Sequence, residues 1–319
     1  MGKIRAVTVD PNVPGRLALN DVDVPIPAPN EALIRVAAIS LNRGEVRRST
    51  TAEAGWRPGW DLAGIVETPA ADGSGPSAGT RVVGFVRAGA WGELVAVPSD
   101  AIAKLPDSVS FAQAATLPVA GLTAYHALKQ GGLLLGKSVL ITGASGGVGN
   151  FAIQLAQASG ANVIAHIRQP DNAALVKQAG AQAVVIGEDL PLDSEYAPYD
   201  LIVESVGGKT LSAALGSVAP DGVVVLFGTS GGTEVTFNAQ RFYGASSGAS
   251  LYALILFHEL KRESASVGLQ RLLNLVADGQ LRPHIAVEAP WTQVADLAQQ
   301  LLDRHFLGKA VLHISLGNG

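Results

Sequence analysis

Val139-Leu140-Ile141-Thr142-Gly143-Ala144-Ser145-Gly146-Gly147-Val148-Gly149 is the stretch that decides how this chain folds. An apolar run suited to a buried strand ends in a glycine-rich turn. A helical stretch follows from Asn150 to Ser159, and Gly160 closes it in the usual position past a helix C-terminus. A second strand, Asn162 to Ile167, comes next. In such a strand–turn–helix–strand unit, residues without Cβ atoms let the backbone approach a pyrophosphate. The helix N-terminus supplies free N–H groups and positive dipole character. A glycine triplet alone would also suit an ordinary turn, and Ala144 stands where the dinucleotide fingerprint has its first glycine. The surrounding strands and helix, rather than the glycines, carry the reading.

Beyond this unit the alternation continues. A helix is expected from about Asp171 to Ala179, a strand at Ala183–Ile186, and buried strands at Leu201–Glu204 and Val223–Phe227. Repeated strand–helix units with near-continuous apolar strands imply a parallel sheet covered on both faces. Toward the end, helices are expected near Leu251–Arg262, Val267–Ala277 and Val294–Asp303, then a strand at Lys309–Ile314. Residues up to about 115 read differently. Short alternating runs such as Ala32-Leu33-Ile34-Arg35-Val36 are punctuated by turn signals such as Asp72-Gly73-Ser74-Gly75-Pro76. That rhythm predicts a small β-barrel or sandwich.

Composition narrows the function. A length of 319 residues exceeds what one compact core usually holds, so two domains are expected. The net charge of -4, with no Lys/Arg cluster beyond Arg47-Arg48, argues against a nucleic-acid surface. The absence of cysteine excludes disulfides, iron–sulfur clusters and thiolate-ligated zinc, and fits a cytoplasmic protein. The start, Met1-Gly2-Lys3-Ile4-Arg5-Ala6-Val7, reads as a strand rather than a signal peptide, and the apolar run Leu251–Phe257 is too short to span a bilayer.

The end of the second strand bears on which dinucleotide binds. A carboxylate there would hydrogen-bond the ribose 2′-OH of NAD. This chain has His166-Ile167-Arg168-Gln169, and a guanidinium at 168 suits a 2′-phosphate by charge and by its forked donors. Asp171 is the nearest acid, but Pro170-Asp171 suits the start of the next helix. NADPH is therefore the expected cofactor, with Arg168 as its selector.

With these segments in view, the chain resembles the zinc-independent quinone oxidoreductase branch of the medium-chain dehydrogenase/reductase superfamily over almost its full length. The resemblance is carried by Ser40-Leu41-Asn42, the block Gly59-Trp60-Asp61-Leu62-Ala63-Gly64-Ile65-Val66, Gly79-Thr80-Arg81-Val82 and Gly89-Ala90-Trp91-Gly92-Glu93. It continues through Pro118–Tyr125, Glu204-Ser205-Val206-Gly207-Gly208, Phe227-Gly228-Thr229 and Gly308-Lys309-Ala310-Val311-Leu312. It implies an α/β protein with a GroES-like β-barrel catalytic domain at 1–115 and a doubly wound Rossmann domain at 116–283. The chain would return to the barrel at 284–319.

The resemblance also implies a homodimer through the Rossmann sheets and a site without metal. Asn42 and Thr123 would face the nicotinamide end, with Asn42 the candidate catalytic anchor. Ser145, Gly146, Gly147 and Val148 would cradle the pyrophosphate, and Val206, Phe227, Gly228 and Thr229 would line the ribose and carboxamide. Two departures stand out. The Tyr that relatives often place after the Asn gives way to Arg43-Gly44-Glu45-Val46-Arg47-Arg48. The usual 2′-phosphate Lys and its supporting Tyr fall at Asn172 and Gly187.

The expected activity is hydride transfer to a quinone or an α,β-unsaturated carbonyl, a small-molecule substrate, with donors stabilising the resulting oxyanion. Two other readings stay open. One is an enoyl reductase dedicated to a single polyketide-type intermediate, which the Arg43–Arg48 segment would favour. The other is a low-turnover dinucleotide-binding protein with a structural or regulatory role.

Overall fold

The computed structural model describes residues 2–192 and 194–315. Its contacts divide the chain into two compact units, Met1–Leu122 with Leu260–Gly319, and Thr123–Glu259.

The first unit opens with an antiparallel pair, β1 (Lys3–Val9) and β2 (Leu17–Asp23). Strand β3 (Glu31–Ser40) leads into the short helix α1 (Arg43–Ser49), followed by β4 (Asp61–Thr68), β5 (Arg81–Phe85), β6 (Leu94–Pro98) and β7 (Ile102–Lys104). Strand β3 pairs with both β4 and β6, and β4 carries β5 and then β7. Val36, Ala38, Ile39, Leu62, Ala63, Val82 and Val83 fill its interior. The short helix α2 (Phe111–Ala115), opened by a reciprocal Ser110–Gln113 capping box, ends this run.

Helix α3 (Leu122–Lys129) leads into the second unit. There β8 (Ser138–Ile141), α4 (Gly147–Ala158), β9 (Asn162–Ile167), α5 (Ala173–Gln178), β10 (Ala183–Ile186), β11 (Tyr199–Glu204), α6 (Gly208–Leu215) and β12 (Val218–Leu226) alternate. Helix α7 (Ala239–Ala245), strand β13 (Ser250–Ala253) and helix α8 (Leu256–Glu259) complete it. The six strands run parallel in the order β10-β9-β8-β11-β12-β13. Chain order therefore reverses at β8/β11, the switch point at which doubly wound sheets bind ligands. Leu140, Ile164, Tyr199, Ile202 and Val224 lie in one buried cluster.

The chain returns to the first unit through α9 (Ala265–Ala277), β14 (Ile285–Pro290), α10 (Val294–Asp303) and β15 (Lys309–His313). Strand β15 pairs antiparallel with β3 and parallel with β14.

Two details differ from the sequence expectation. The expected helix at Leu251–Arg262 is strand β13 followed by the short α8. Ser250-Leu251-Tyr252-Ala253 is a four-residue run that finds backbone partners along β12, and runs that short do not declare their period. Asp171 sits inside a single 3₁₀ turn, Pro170–Asn172, that precedes α5, instead of capping that helix. By its contacts the first unit takes in Leu117–Gly121 and the chain from Leu260 onward, where α9 buries Leu269, Leu272 and Leu273, with Leu272 against Gly121.

Among the described residues no helix is long and apolar enough to cross a membrane.

Candidate active site

In the second unit the site grows from the turn after β8. Gly143 has φ +56°, and the Gly146 N–H donates to its carbonyl at 3.0 Å. Helix α4 then begins with no side-chain cap on Gly146 and no acid in its first turn. Its first N–H groups, Gly147 and Val148 among them, lie beyond the reach of intrahelical acceptors. Ser145 through Val148 are half-buried, between the buried Ala144 and Gly149. The arrangement is an electropositive backbone surface at the carboxyl edge of a parallel sheet, suited to a diphosphate.

The loops after β11 and β12 close beside it. Glu204, fully buried at the end of β11, accepts the Val206 N–H at 2.7 Å, the Gly207 N–H at 3.0 Å and the Thr142 hydroxyl at 3.1 Å. The Ser205 N–H in turn donates to the Thr142 hydroxyl at 3.0 Å, tying this loop to the glycine turn. The Phe227 N–H donates to the Glu204 carbonyl at 3.0 Å, and a Cβ on Gly207 would lie 3.2 Å from the Thr229 Cα. One edge of the sheet thus gathers Ser145, Gly146, Gly147, Val148, Val206, Phe227, Gly228 and Thr229. Burial pushes the Glu204 carboxyl above its ordinary range, opposed by these donors.

Arg168 is exposed immediately past the end of β9, the neighbour of β8. Just before it, the buried His166 faces the Gly187 carbonyl through Nε2 at 3.1 Å, and burial lowers its pKa. Thr123 lies buried on α3.

In the first unit, Asn42 links β3 to α1 and opens that helix in a capping box with Glu45. The Glu45 side chain accepts the Asn42 backbone N–H on Oε1 at 2.8 Å. The Asn42 side-chain amide donates to Glu45 Oε1 at 3.1 Å and to Asp61 Oδ2 at 2.8 Å. Its oxygen accepts from Lys309 Nζ at 2.5 Å. The orientation of the amide follows from chemistry: the Asp61 carboxylate, paired with Lys309, only accepts, and the Lys309 ammonium only donates. Lys309 Nζ also donates to the Leu41 carbonyl at 2.8 Å and pairs with Asp61 at 3.4 Å. The Val119 N–H donates to the other Asp61 oxygen at 3.0 Å.

The sequence motifs contain Glu204, Asp61 and Lys309, and the Arg43–Arg48 segment contains Glu45, but nothing in the sequence gives these residues a role or brings the last three to Asn42.

Residues 28–107 match the alcohol dehydrogenase GroES-like domain, and residues 147–265 match the zinc-binding dehydrogenase domain. The chain is 30% identical to the chloroplast envelope quinone oxidoreductase homolog of Arabidopsis thaliana, over 93% of this chain and 94% of that protein. It belongs to the quinone oxidoreductase branch of the medium-chain dehydrogenase/reductase superfamily. The 2-methylene-furan-3-one reductase of Solanum lycopersicum is likewise 30% identical, over 92% of this chain and 74% of that protein. A mycobacterial protein solved in complex with NADPH superposes with a TM-score of 0.86 at 27% identity, covering 98% of this chain and all of the other. Fold and family are those the sequence motifs implied.

The chain has no cysteine, and among the described residues no group of three or more His, Asp or Glu side chains could hold a metal. Asp61 is already committed to Lys309 and Asn42.

Proposed function

We propose that this family member is a metal-free, NADPH-dependent reductase that delivers a hydride to a quinone or an α,β-unsaturated carbonyl. The observation that carries the reading is the uncapped, acid-free N-terminus of α4 opening at the β8/β11 switch point. Backbone N–H groups of Gly146, Gly147 and Val148, with Ser145, would hold the diphosphate. Arg168 would pair with the 2′-phosphate. Val206, Phe227, Gly228 and Thr229 would line the ribose and carboxamide, with Thr123 and Asn42 serving the nicotinamide end.

When bound, the reduced nicotinamide supplies the hydride. Hydride addition to the β-carbon of an enone drives the C=C electron pair onto the carbonyl oxygen, and water returns a proton at the α-carbon. The proximity of a 2-methylene-furan-3-one reductase among the relatives supports an enone as substrate. The NADPH complex of the mycobacterial relative supports the cofactor. The proposal includes a cytoplasmic homodimer joined through β13, which is the edge strand of its sheet and leaves Leu251 48% exposed.

Calorimetric titration with NADPH and NADH, followed by a panel of quinones and enones, tests the reading. Saturable NADPH binding with turnover of at least one class, unaffected by exhaustive chelation, is the expected result. No heat with either nucleotide ends the proposal, and a metal requirement ends its metal-free part.

A further inference from the structure

Two carboxyls and one ammonium are buried together in the first unit: Glu45 and Asp61 are inaccessible and Lys309 is 3% exposed. Three ionised groups would leave a net negative charge in a medium that solvates charge poorly, at a cost far above that of protonating one acid. The partners show which acid takes the proton. Asp61 receives Lys309 Nζ at 3.4 Å, Asn42 Nδ2 at 2.8 Å and the Val119 N–H at 3.0 Å, so both its oxygens are served. Glu45 receives both its donors on Oε1, and Oε2 is buried with no hydrogen-bond partner.

We infer that Glu45, Asp61 and Lys309 are a positioning cluster for Asn42, in which Glu45 is an un-ionised carboxylic acid beside an Asp61–Lys309 ion pair. Both N–H bonds of the Asn42 amide are spent inside the cluster. Asn42 can therefore meet a ligand only by accepting a hydrogen bond at Oδ1, as from a hydroxyl or a carboxamide NH₂. It cannot donate to an oxyanion. This consequence for the ligand rests on the proposed function, whereas the protonation of Glu45 does not.

The direction of the Glu45 shift agrees, since burial foremost and the neighbouring Asp61 next push its carboxyl well above the ordinary range. Other charges lie outside the cluster. On α1, Arg47 and Arg48 are exposed, and the half-buried Arg43 reaches the Leu302 carbonyl. Asp296 and Asp303 on α10, and Arg304 after it, are exposed. On β3 and β4, Arg35 pairs with Glu67, and across β14 and β15, Glu288 pairs with His313. Arg81 on β5 serves the carbonyls of Pro106 and Val109. Helix α2 and the segment Leu117–Gly121 carry no charged side chain.

A group whose pKa is raised by folding contributes stability below its unfolded pKa and loses it as pH rises through the folded value. Infrared spectroscopy of the full chain at neutral pH should show the C=O stretch of an un-ionised carboxyl, and Glu45→Gln should remove it. The wild type should lose thermal stability as pH rises above the ordinary carboxylate range, and Glu45→Gln should flatten that decline. Lys309→Met, which frees the Asn42 amide, should raise the NADPH Kd and KM about tenfold, a tenfold change being one lost hydrogen bond to a charged group. Its effect on kcat should be smaller, with partial recovery in Lys309→Arg.

A wild type without the acid band, or with a band that persists in Glu45→Gln, overturns the inference, as does an unchanged pH–stability curve in that variant. If the wild type binds no dinucleotide, the proposed function fails while the infrared and pH measurements still decide the cluster. If Lys309→Met does not fold, those two measurements on Glu45→Gln decide it.

Discussion

Gly149 and Gly143 stand so close that a methyl group on Gly149 would lie 2.6 Å from the Gly143 carbonyl oxygen. It would also lie 2.7 Å from the Ala144 Cα, and backbone atoms cannot swing aside as a flexible side chain can. The last glycine of the turn therefore serves helix–strand contact. Gly146, with φ −79°, has a backbone that other residues adopt, and a Cβ there would meet the same carbonyl at 3.2 Å, a tight contact but a milder one than at Gly149. Gly149→Ala should destabilise by about 1–3 kcal/mol, the usual cost of overpacking, and weaken NADPH at the same time. Gly146→Leu should lower the unfolding temperature less than Gly149→Ala while removing binding. Thermal unfolding beside calorimetric titration separates the two effects, and a Gly149→Ala protein of wild-type stability would contradict the packing argument.

Arg168 is exposed past β9, and in the proposed function it is the residue that would read the 2′-phosphate, since the positions the family resemblance gives to a Lys and a Tyr hold Asn172 and Gly187. Losing a charge-assisted, forked contact should weaken NADPH at least about tenfold. NADH, which lacks that phosphate, should change less than about twofold. Paired titrations of wild type and Arg168→Ala give the answer, and equal losses for both nucleotides refute the assignment.

His166 gives the second unit an acid-side weakness. Burial lowers its pKa, so the folded protein holds the ring neutral while the unfolded chain protonates near 6.5. The sign follows: stability is complete above the unfolded value and falls as pH drops through the folded one, by at most about 1.4 kcal/mol per pH unit. His166→Gln retains a donor for the Gly187 carbonyl and has no proton to take up. Its denaturation midpoint should decline less than that of the wild type between neutral pH and pH 5. Parallel curves would show that another group drives the loss.

Local signals account for what was legible in the sequence. The β8–α4–β9 unit declares itself through an apolar strand, a glycine turn and Gly160 past the helix end, all within one stretch of chain. Strand β13 was missed because four residues cannot distinguish a strand period from a helical one; its identity comes from pairing with β12. The surroundings of Asn42 were invisible for another reason. Lys309 is 267 positions away and reaches Asn42 only because β15 returns to pair with β3. Periodicity marks which face of a strand is buried, but it does not say which distant polar group will share that face.

Glu204 illustrates the same limit and leads to the last prediction. Its carboxylate is the acceptor for the Val206 and Gly207 N–H groups and the Thr142 hydroxyl, and so fixes the loop that carries Val206 against the glycine turn. Glu204→Ala would strand buried donors, each costing about 1–3 kcal/mol where water cannot reach them. Unfolding measurements should show a loss in that range, and the NADPH Kd should rise about tenfold as the loop loosens. Glu204→Gln keeps one acceptor oxygen but turns an NH₂ toward donors, so it should fall between wild type and Glu204→Ala in both measurements. If Glu204→Ala bound NADPH as the wild type does, the loop would owe its shape to the Ser205 N–H bond to the Thr142 hydroxyl and the Phe227–Glu204 backbone bond, and Glu204 would have no part in positioning the cofactor.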